Sequence, residues 1–271
     1  MTTRWTTVLS ALISAIVLAT TFTTVRAQDF RLDHFKCYRM PEVTGNTVLP
    51  TTVTLQDQFD IALGRAELVE VFVHLRFCNP VEKRVAGAVT EIKRNDHHLT
   101  LYAVDPVEGK PIRGDVVVLN QFGKQKLRIE SADILAVPTT KNPGSLDPPA
   151  GLDHYKCYYA DGAAPAALRV VGLEDQFETV RHKLREPVLF CNPTRKTDAA
   201  GKVFPVENAD DHLTCYKISI ATVDRKFAVI ANQFTDPILD MFAASADLLC
   251  VPTKKEKFAL DADFGFTTPG R

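Results

Sequence analysis

The chain has 271 residues, of which 45% are hydrophobic and 24% are charged, and its formal net charge is -1. This composition is typical of a globular protein and excludes a disordered chain, a collagen-like fibre and a protein with many membrane spans. The balanced charge argues against the basic surface that nucleic-acid binding requires.

The first 27 residues have the three parts of a secretory signal peptide. Arg4 supplies the positive charge, residues 8–18 (VLSALISAIVL) form the apolar run, and Val25 and Ala27 occupy the positions that define the cleavage point. An uncleaved anchor is the alternative, but the run is shorter than the roughly 20 residues that span a bilayer, and no later segment reaches that length. We expect a secreted or periplasmic chain without a transmembrane segment. Cleavage leaves 244 residues with 30 basic and 33 acidic side chains, and it removes Trp5, the only tryptophan.

The rest of the chain contains the same motifs twice, in the same order. Residues 32–38, 77–80, 98–102, 120–122 and 132–139 reappear as residues 152–158, 190–193, 212–216, 232–234 and 246–253. A fixed order at nearly constant spacing indicates a tandem duplication. We assign residues 28–141 to the first repeat domain, 142–151 (NPGSLDPPAG) to a Pro/Gly linker, 152–256 to the second repeat domain and 257–271 to a C-terminal tail.

Each copy divides again into two quarters with a common pattern, which is His-x-x-x-Tyr, then Gln-Phe, then a closing proline. Quarters one to four span residues 34–80, 98–138, 154–193 and 212–252. Quarters one and three share the Lys-Cys-Tyr and Cys-Asn-Pro sequences, whereas two and four share Leu-Thr-x-Tyr and x-Val-Pro-Thr. We expect the Gln-Phe phenylalanines in the core and the glutamines on buried backbone groups.

The cysteines follow the quarters. In an exported chain disulfides are the default state, with free or metal-bound thiols as the alternative. Quarters one, three and four carry a cysteine at both repeat positions, whereas quarter two has Leu101 and Ala136 there. Loss of both cysteines together is what a bonded pair predicts. We therefore predict the disulfides Cys37–Cys78, Cys157–Cys191 and Cys215–Cys250.

Short segments rich in β-branched and aromatic residues predict strands throughout, for example residues 116–119, 213–218 and 227–230. Residues 66–75 and 239–246 are the best candidates for helices. We expect an all-β fold of two tandem disulfide-supported β-sandwich or barrel-like domains, each an internal pseudo-duplicate. A single closed four-quarter barrel or propeller-like body is the alternative.

The motifs LDHxKCY, DQF, FCNP, DHLTCY, NQF and LCVP together resemble a family of exported bacterial proteins of unknown function in which the module recurs in tandem. The resemblance covers residues 32–141 and 152–255 and implies a β fold in an extracellular or envelope setting. It implies no catalytic residue. The first copy departs from the pattern at Leu101 and Ala136.

One histidine occupies the same position in every quarter, namely His34, His98, His154 and His212. Brought together by pseudo-symmetry, with Asp33, Asp153 and Asp211 beside them, these histidines would form a metal site. The favoured interpretation is structural, because a residue found in all quarters serves the fold that they share. No cofactor is predicted beyond this candidate metal ion.

The remaining motifs give no catalytic set, and the catalytic residues of any activity are unknown at this stage. Ser131, Ser145, Ser219 and Ser245 are the serines after residue 27, and none lies in Gly-x-Ser-x-Gly. The lysines that follow the closing prolines, Lys83, Lys141, Lys196 and Lys254, are interpreted as solvated residues at strand ends.

We therefore predict a secreted, non-catalytic binding or structural module for an unknown extracellular or envelope ligand. The alternative is an extracellular enzyme, metal-dependent or hydrolytic, with a site between repeats. A concave site where the quarters differ is the place to search for function, with ordinary surface variation as the favoured interpretation of single unmatched residues. Tyr155, Tyr159, His74, His97 and His182 lack full repeat partners.

Overall fold

The computed structural model describes residues 30–108, 110–165, 170–221 and 224–261, so the expected signal peptide and residues 262–271 of the tail lie outside the described part. The described residues form seventeen strands and one helix. In chain order these are β1 (His34–Arg39), β2 (Glu42–Thr47), β3 (Thr51–Gln56), α1 (Gln58–Ala62), β4 (Glu67–Val85), β5 (Ala88–Thr90), β6 (His98–Pro106), β7 (Gly114–Asn120), β8 (Gly123–Ile129), β9 (Ile134–Lys141), β10 (His154–Asp161), β11 (Val170–Glu174), β12 (Thr179–Asp198), β13 (Val203–Phe204), β14 (His212–Ile218), β15 (Lys226–Ala231), β16 (Thr235–Ala243) and β17 (Ala246–Leu260).

The all-β prediction is confirmed, but both predicted helices are wrong. Residues 66–75 lie mostly in β4, and residues 239–246 end β16 and begin β17. In β4, Val69 and Val71 are buried, whereas the intervening Glu70 is exposed. Burial at every second position is the period of a strand, and a helix would require a period near 3.6.

Helix α1 begins at an Asp-Gln-Phe triplet, where no helix was predicted. The Asp57 carboxylate accepts hydrogen bonds from the backbone N–H groups of Phe59 and Asp60, both at 2.9 Å. The Asp60 carboxylate accepts the N–H of Asp57 in return, which completes a capping box. No helix in the described part of the chain has the length and apolar character needed to cross a membrane.

Eight strands, two from each quarter, close into one antiparallel ring. The order around the ring is β1, β4, β6, β9, β10, β12, β14, β17 and back to β1. The expectation of two self-contained domains is not confirmed, because β9 of the first copy pairs with β10 of the second, and β1 pairs with β17. The arrangement corresponds to the alternative of a single closed barrel of four quarters.

The interior of the ring is apolar. Every ring strand contributes alternate side chains to it, as the two-residue period of a strand requires. This core contains Leu32, Phe35, Cys37, Cys78, Leu99, Leu101, Ile134, Ala136, Leu152, Tyr155, Cys157, Leu189, Cys191, Leu213, Cys215, Leu248 and Cys250.

Three disulfides cross the interior between neighbouring ring strands. They join Cys37 to Cys78, Cys157 to Cys191 and Cys215 to Cys250, the three pairs that the repeat comparison predicts. In each pair the two residues lie directly opposite one another in the strand register. Quarter two places Leu101 opposite Ala136 in the same register, so an apolar contact replaces the bond.

Outside the ring, each quarter sends an arm, which is the chain between its two ring strands, onto the opposite quarter. The arm carries the Gln-Phe pair, and its phenylalanine packs edge-on against the tyrosine of the other quarter. The four ring pairs and their centroid distances are Phe59 with Tyr158 at 5.3 Å, Phe177 with Tyr38 at 5.3 Å, Phe122 with Tyr216 at 5.1 Å, and Phe234 with Tyr102 at 5.0 Å.

Hydrogen bonds and ion pairs also hold the arms of quarters one and three on each other's quarter. Asp57 of arm one accepts hydrogen bonds from Tyr158 and Asn192 of quarter three, while Lys156 pairs with Asp60 beside it. Arm three mirrors this contact, with Asp175 accepting from Tyr38.

The matching positions of quarters two and four are uncharged. Asn232 of arm four replaces the aspartate and donates to Tyr102 and Thr139. Thr100 stands where quarter one has Lys36. Arms two and four also have Gly123 and Thr235 where arm one has Asp60, so either of them on a lysine quarter would leave the buried lysine without its acidic partner. The chemistry therefore favours the observed pairing of arms and quarters.

The two ends of the ring differ. At one end Leu32 and Leu152 fill the opening, and the carboxylate of Asp33 accepts the backbone N–H groups of Lys93 and Arg94, both at 2.8 Å. Asp153 accepts N–H groups of a loop in the second copy in the same way. The other end remains open.

Candidate functional site

The four repeat histidines lie in separate environments and share no ligand position. The side-chain amide of Gln121 hydrogen-bonds Nε2 of His34, and that of Gln233 hydrogen-bonds Nε2 of His154 at 2.8 Å. His98 stacks on Phe77 with 5.4 Å between ring centroids. Across the described ranges, no group of three or more His, Cys, Asp or Glu side chains is placed to hold a metal ion.

The aspartates next to these histidines in the sequence do not join them in a metal site. Asp33 and Asp153 hold loop backbone, as described above. Asp211 is half-buried, and burial raises its pKa. The repeat histidines therefore have structural contacts.

The glutamines of the four Gln-Phe pairs have two kinds of hydrogen-bond partner. Gln121 and Gln233 contact histidine, whereas Gln58 and Gln176 donate to the backbone carbonyls of Ala209 and Asn95.

The lysines after the closing prolines were expected in solvent, and this is wrong for most of them. Lys83 and Lys196 are buried and Lys141 is half-buried, whereas Lys254 is exposed. Lys255, and not Lys254, is the equivalent of these lysines in quarter four. It lies two residues after Thr253, which pairs with His212, just as Lys141 lies two residues after Thr139, which pairs with His98.

Each of these lysines lies near the phenylalanine of the next arm around the ring, in the geometry of a cation–π contact. The distances from Nζ to the ring centroid are 5.7 Å for Lys83 and Phe122, 4.8 Å for Lys141 and Phe177, 5.8 Å for Lys196 and Phe234, and 4.7 Å for Lys255 and Phe59. The lysines thus help to hold the arms. Sequence reasoning missed this role, although the spacing of three residues after each proline was visible in all four quarters.

Burial governs the protonation of these groups. Burial, together with the charge of a nearby lysine, lowers the pKa of each repeat histidine to about 3. Burial also lowers the pKa of Lys141, Lys196 and Lys255 to about 8. The histidines are therefore neutral in the folded chain at neutral pH.

We expect the folded chain to lose stability as the pH falls below 6.5. A histidine with a lowered folded pKa contributes its full stability above the unfolded value of 6.5, and it loses that contribution as the pH falls toward 3. The loss is on the order of 1 kcal/mol per pH unit for each such histidine. Urea unfolding at pH 7.5 and pH 5.5 measures this loss. The slope of the unfolding free energy with pH gives the number of protons taken up on unfolding, and His98→Gln should reduce that number by about one. Equal urea midpoints at the two pH values would contradict the expectation.

A cavity of about 970 Å³ occupies the open end of the ring, which we call the mouth. Its apolar wall includes Leu75, Ile134, Val188 and Leu248 from four different ring strands. These side chains continue the ring core toward solvent. The mouth is therefore a concave, largely apolar surface to which both sequence copies contribute.

One side of the mouth carries a fixed charge cluster. Arg39 and Arg76 stand opposite each other in the β1–β4 register, where two like charges repel. Asp247 of β17 joins them, because it accepts Nε of Arg76 at 2.8 Å, Nη2 of Arg76 at 2.9 Å and Nε of Arg39 at 2.8 Å. Burial alone would raise the pKa of Asp247, but the two arginines outweigh burial and lower it.

The mouth is also where the quarters differ. Tyr159 and Leu189 of quarter three occupy the register positions that Arg39 and Arg76 occupy in quarter one. Tyr159 was among the residues without a full repeat partner, and its side chain is exposed at the rim. The cavity is lined both by residues that the repeats share, such as Ile134, Asp247 and Leu248, and by residues that differ between quarters, such as Arg39, Arg76 and Tyr159.

The contacts of Ser131, Ser145 and Ser219 do not include a hydrogen bond from a serine hydroxyl to a histidine. Ser219 lines the mouth, but its hydroxyl accepts the N–H of Lys183, and Nδ1 of His182 donates to its backbone carbonyl. The hydroxyls of Ser131 and Ser145 donate to aspartates. These contacts are structural.

Comparison with known families finds a match. Residues 98–252, more than half of the chain, match a model described as a repeat of unknown function (DUF7450). The match runs from the first histidine of quarter two to the closing proline of quarter four. No curated protein and no solved structure matches the chain.

Proposed function

Because the chain belongs to the family described as a repeat of unknown function (DUF7450), we propose its function from the geometry of the ring. The chain is an exported bacterial binding protein that holds a small, largely apolar organic ligand in its mouth and performs no catalysis. Export is supported by the three disulfides, which persist in oxidising compartments outside the cytoplasm. The sequence features of a signal peptide in residues 1–27 support it as well.

The observation that carries the proposal is the mouth itself. Its volume of about 970 Å³ lies in the range of small-molecule sites, which are roughly 300–1,000 Å³ and mostly apolar with a few placed polar groups. The mouth combines an apolar wall with fixed arginines in that way. No histidine is found among the described residues that line it, and its serine hydroxyl is engaged by backbone, which favours binding over hydrolysis.

Titration with N-phenylnaphthylamine tests the proposal. This neutral fluorophore brightens in apolar surroundings, and the chain without residues 1–27 has no tryptophan to interfere. We expect saturable binding of one molecule per chain. Val188→Glu, which places a carboxylate in the half-buried wall, should weaken binding at least about tenfold.

Two further variants keep the result interpretable. Ile220→Glu changes a rim side chain that is 60% exposed, so it should fold normally and still weaken binding. Val203→Glu makes the same kind of change on β13, away from the mouth, and should leave binding unchanged. Absence of saturable binding, or equal effects of Val188→Glu and Val203→Glu, would refute the proposed function.

A further inference from the structure

The charges of the mouth are distributed unevenly around its rim. Going round the ring, β12, β14, β17, β1 and β4 are consecutive strands, and each contributes a charged residue to the mouth. In that order they are Arg185, Lys217, Asp247, Arg39 and Arg76. These strands form a basic arc, since four of the five residues are cationic. Next to the arc, on the far side of β12 from β14, β10 and the end of β8 carry Asp161 and Glu130.

The arginines of the arc have donors left over. Arg76 uses Nε and Nη2 on Asp247, and Arg39 uses Nε. Nη1 of Arg76 and both terminal nitrogens of Arg39 donate to no residue in the described ranges. One carboxylate thus orients two guanidinium groups and leaves a net positive charge with several N–H donors beside the apolar wall.

Arg185 adds a further cation to the same arc. Its side chain is exposed at the mouth, and none of the described carboxylates lies within salt-bridge distance of it. Lys217, in contrast, pairs with Glu186 at 3.0 Å. Guanidinium groups held in place bind carboxylate, sulfonate and phosphate groups well, because less freedom is lost on binding.

We propose that the mouth selects an amphiphile with a single anionic headgroup, such as a fatty acid, which Arg39, Arg76 and Arg185 bind while its apolar body lies on Leu75 and Leu248. The proposal rests on the proposed binding function and specifies its ligand class. Glu130 and Asp161 repel the same headgroup on the β10 side of the mouth, so the headgroup lies toward the arginines of the basic arc. The apolar body then covers the exposed continuation of the ring core.

A matched pair of probes tests the proposal. Anilinonaphthalene sulfonate has the skeleton of N-phenylnaphthylamine with one added sulfonate. We expect the sulfonate to bind at least about tenfold more tightly than the neutral probe at low salt, and this advantage should shrink as salt screens the charges. Arg185→Gln should weaken the sulfonate several-fold without affecting the neutral probe. Arg225→Gln, which removes an exposed arginine paired with Glu42 away from the mouth, is the control.

Competition between the neutral probe and charged amphiphiles identifies whether the mouth prefers an anionic or a cationic headgroup. Decanoate should displace N-phenylnaphthylamine at lower concentrations than decylammonium does. If decylammonium is the better competitor, or if Arg185→Gln leaves sulfonate binding unchanged, the anionic ligand class is wrong. That outcome leaves the proposed function standing as long as the neutral probe binds, whereas failure of both probes refutes the proposed function itself.

Discussion

Asp57→Ala should destabilise the folded chain by about 3–5 kcal/mol. Asp57 is buried, and besides capping α1 its carboxylate accepts the Tyr158 hydroxyl at 3.0 Å and Nδ2 of Asn192 at 2.8 Å. Alanine leaves these buried donors without their acceptor and removes the helix cap. Denaturant unfolding followed by circular dichroism measures the loss.

Asp57→Asn is the matched control, since quarters two and four carry asparagine at this position. There the side-chain oxygens of Asn120 and Asn232 accept the N–H of Phe122 and Phe234, both at 2.9 Å. Asparagine should therefore retain the cap and cost less than half of the alanine effect. If alanine costs no more than about 0.5 kcal/mol, as at an ordinary surface position, arm one does not dock on quarter three as described.

The repeat made the disulfides and strands predictable from sequence. Cysteines present or absent together in a quarter point to a pair, and Leu101 with Ala136 identified the quarter without one. The alternating burial of β4 was not visible in the sequence, because apolar residues such as Leu68 and Phe72 also occur on the solvent side of this strand.

The same reasoning could not distinguish a closed ring from two separate domains, and the cause is physical. When two copies carry the same strands, pairing within a copy and pairing between copies satisfy the same pattern. The sequence around His34 and His154 is compatible with both arrangements. Only the observed register, in which Tyr155 lies opposite Ala136 and Phe35 opposite Cys250, distinguishes them.

The mouth was also unpredictable in detail. Arg39 ends β1 and Arg76 lies in the middle of β4. No spacing relates them to Asp247, which is more than 170 residues away from Arg76. The repeat pattern indicated only where to search, namely in a concave site where the quarters differ. The burial of Lys196 was missed because its ammonium group lies near the rings of both Phe204 and Phe234, and another quarter supplies Phe234.

The central claim is that both copies form one ring and share its mouth. Eight strand pairings join residues before the linker to residues after it, and no described disulfide does so. The linker residues Gly144 and Ser145 are exposed, so a cleavage site for a specific protease can be inserted between them.

Size-exclusion chromatography of the chain cut at this site is the most direct test. The account predicts that the two fragments elute together at the position of the uncut chain in native buffer and separate only in denaturant. Fragments that elute apart in native buffer, each at its own size, would show two self-contained domains and would contradict the shared ring.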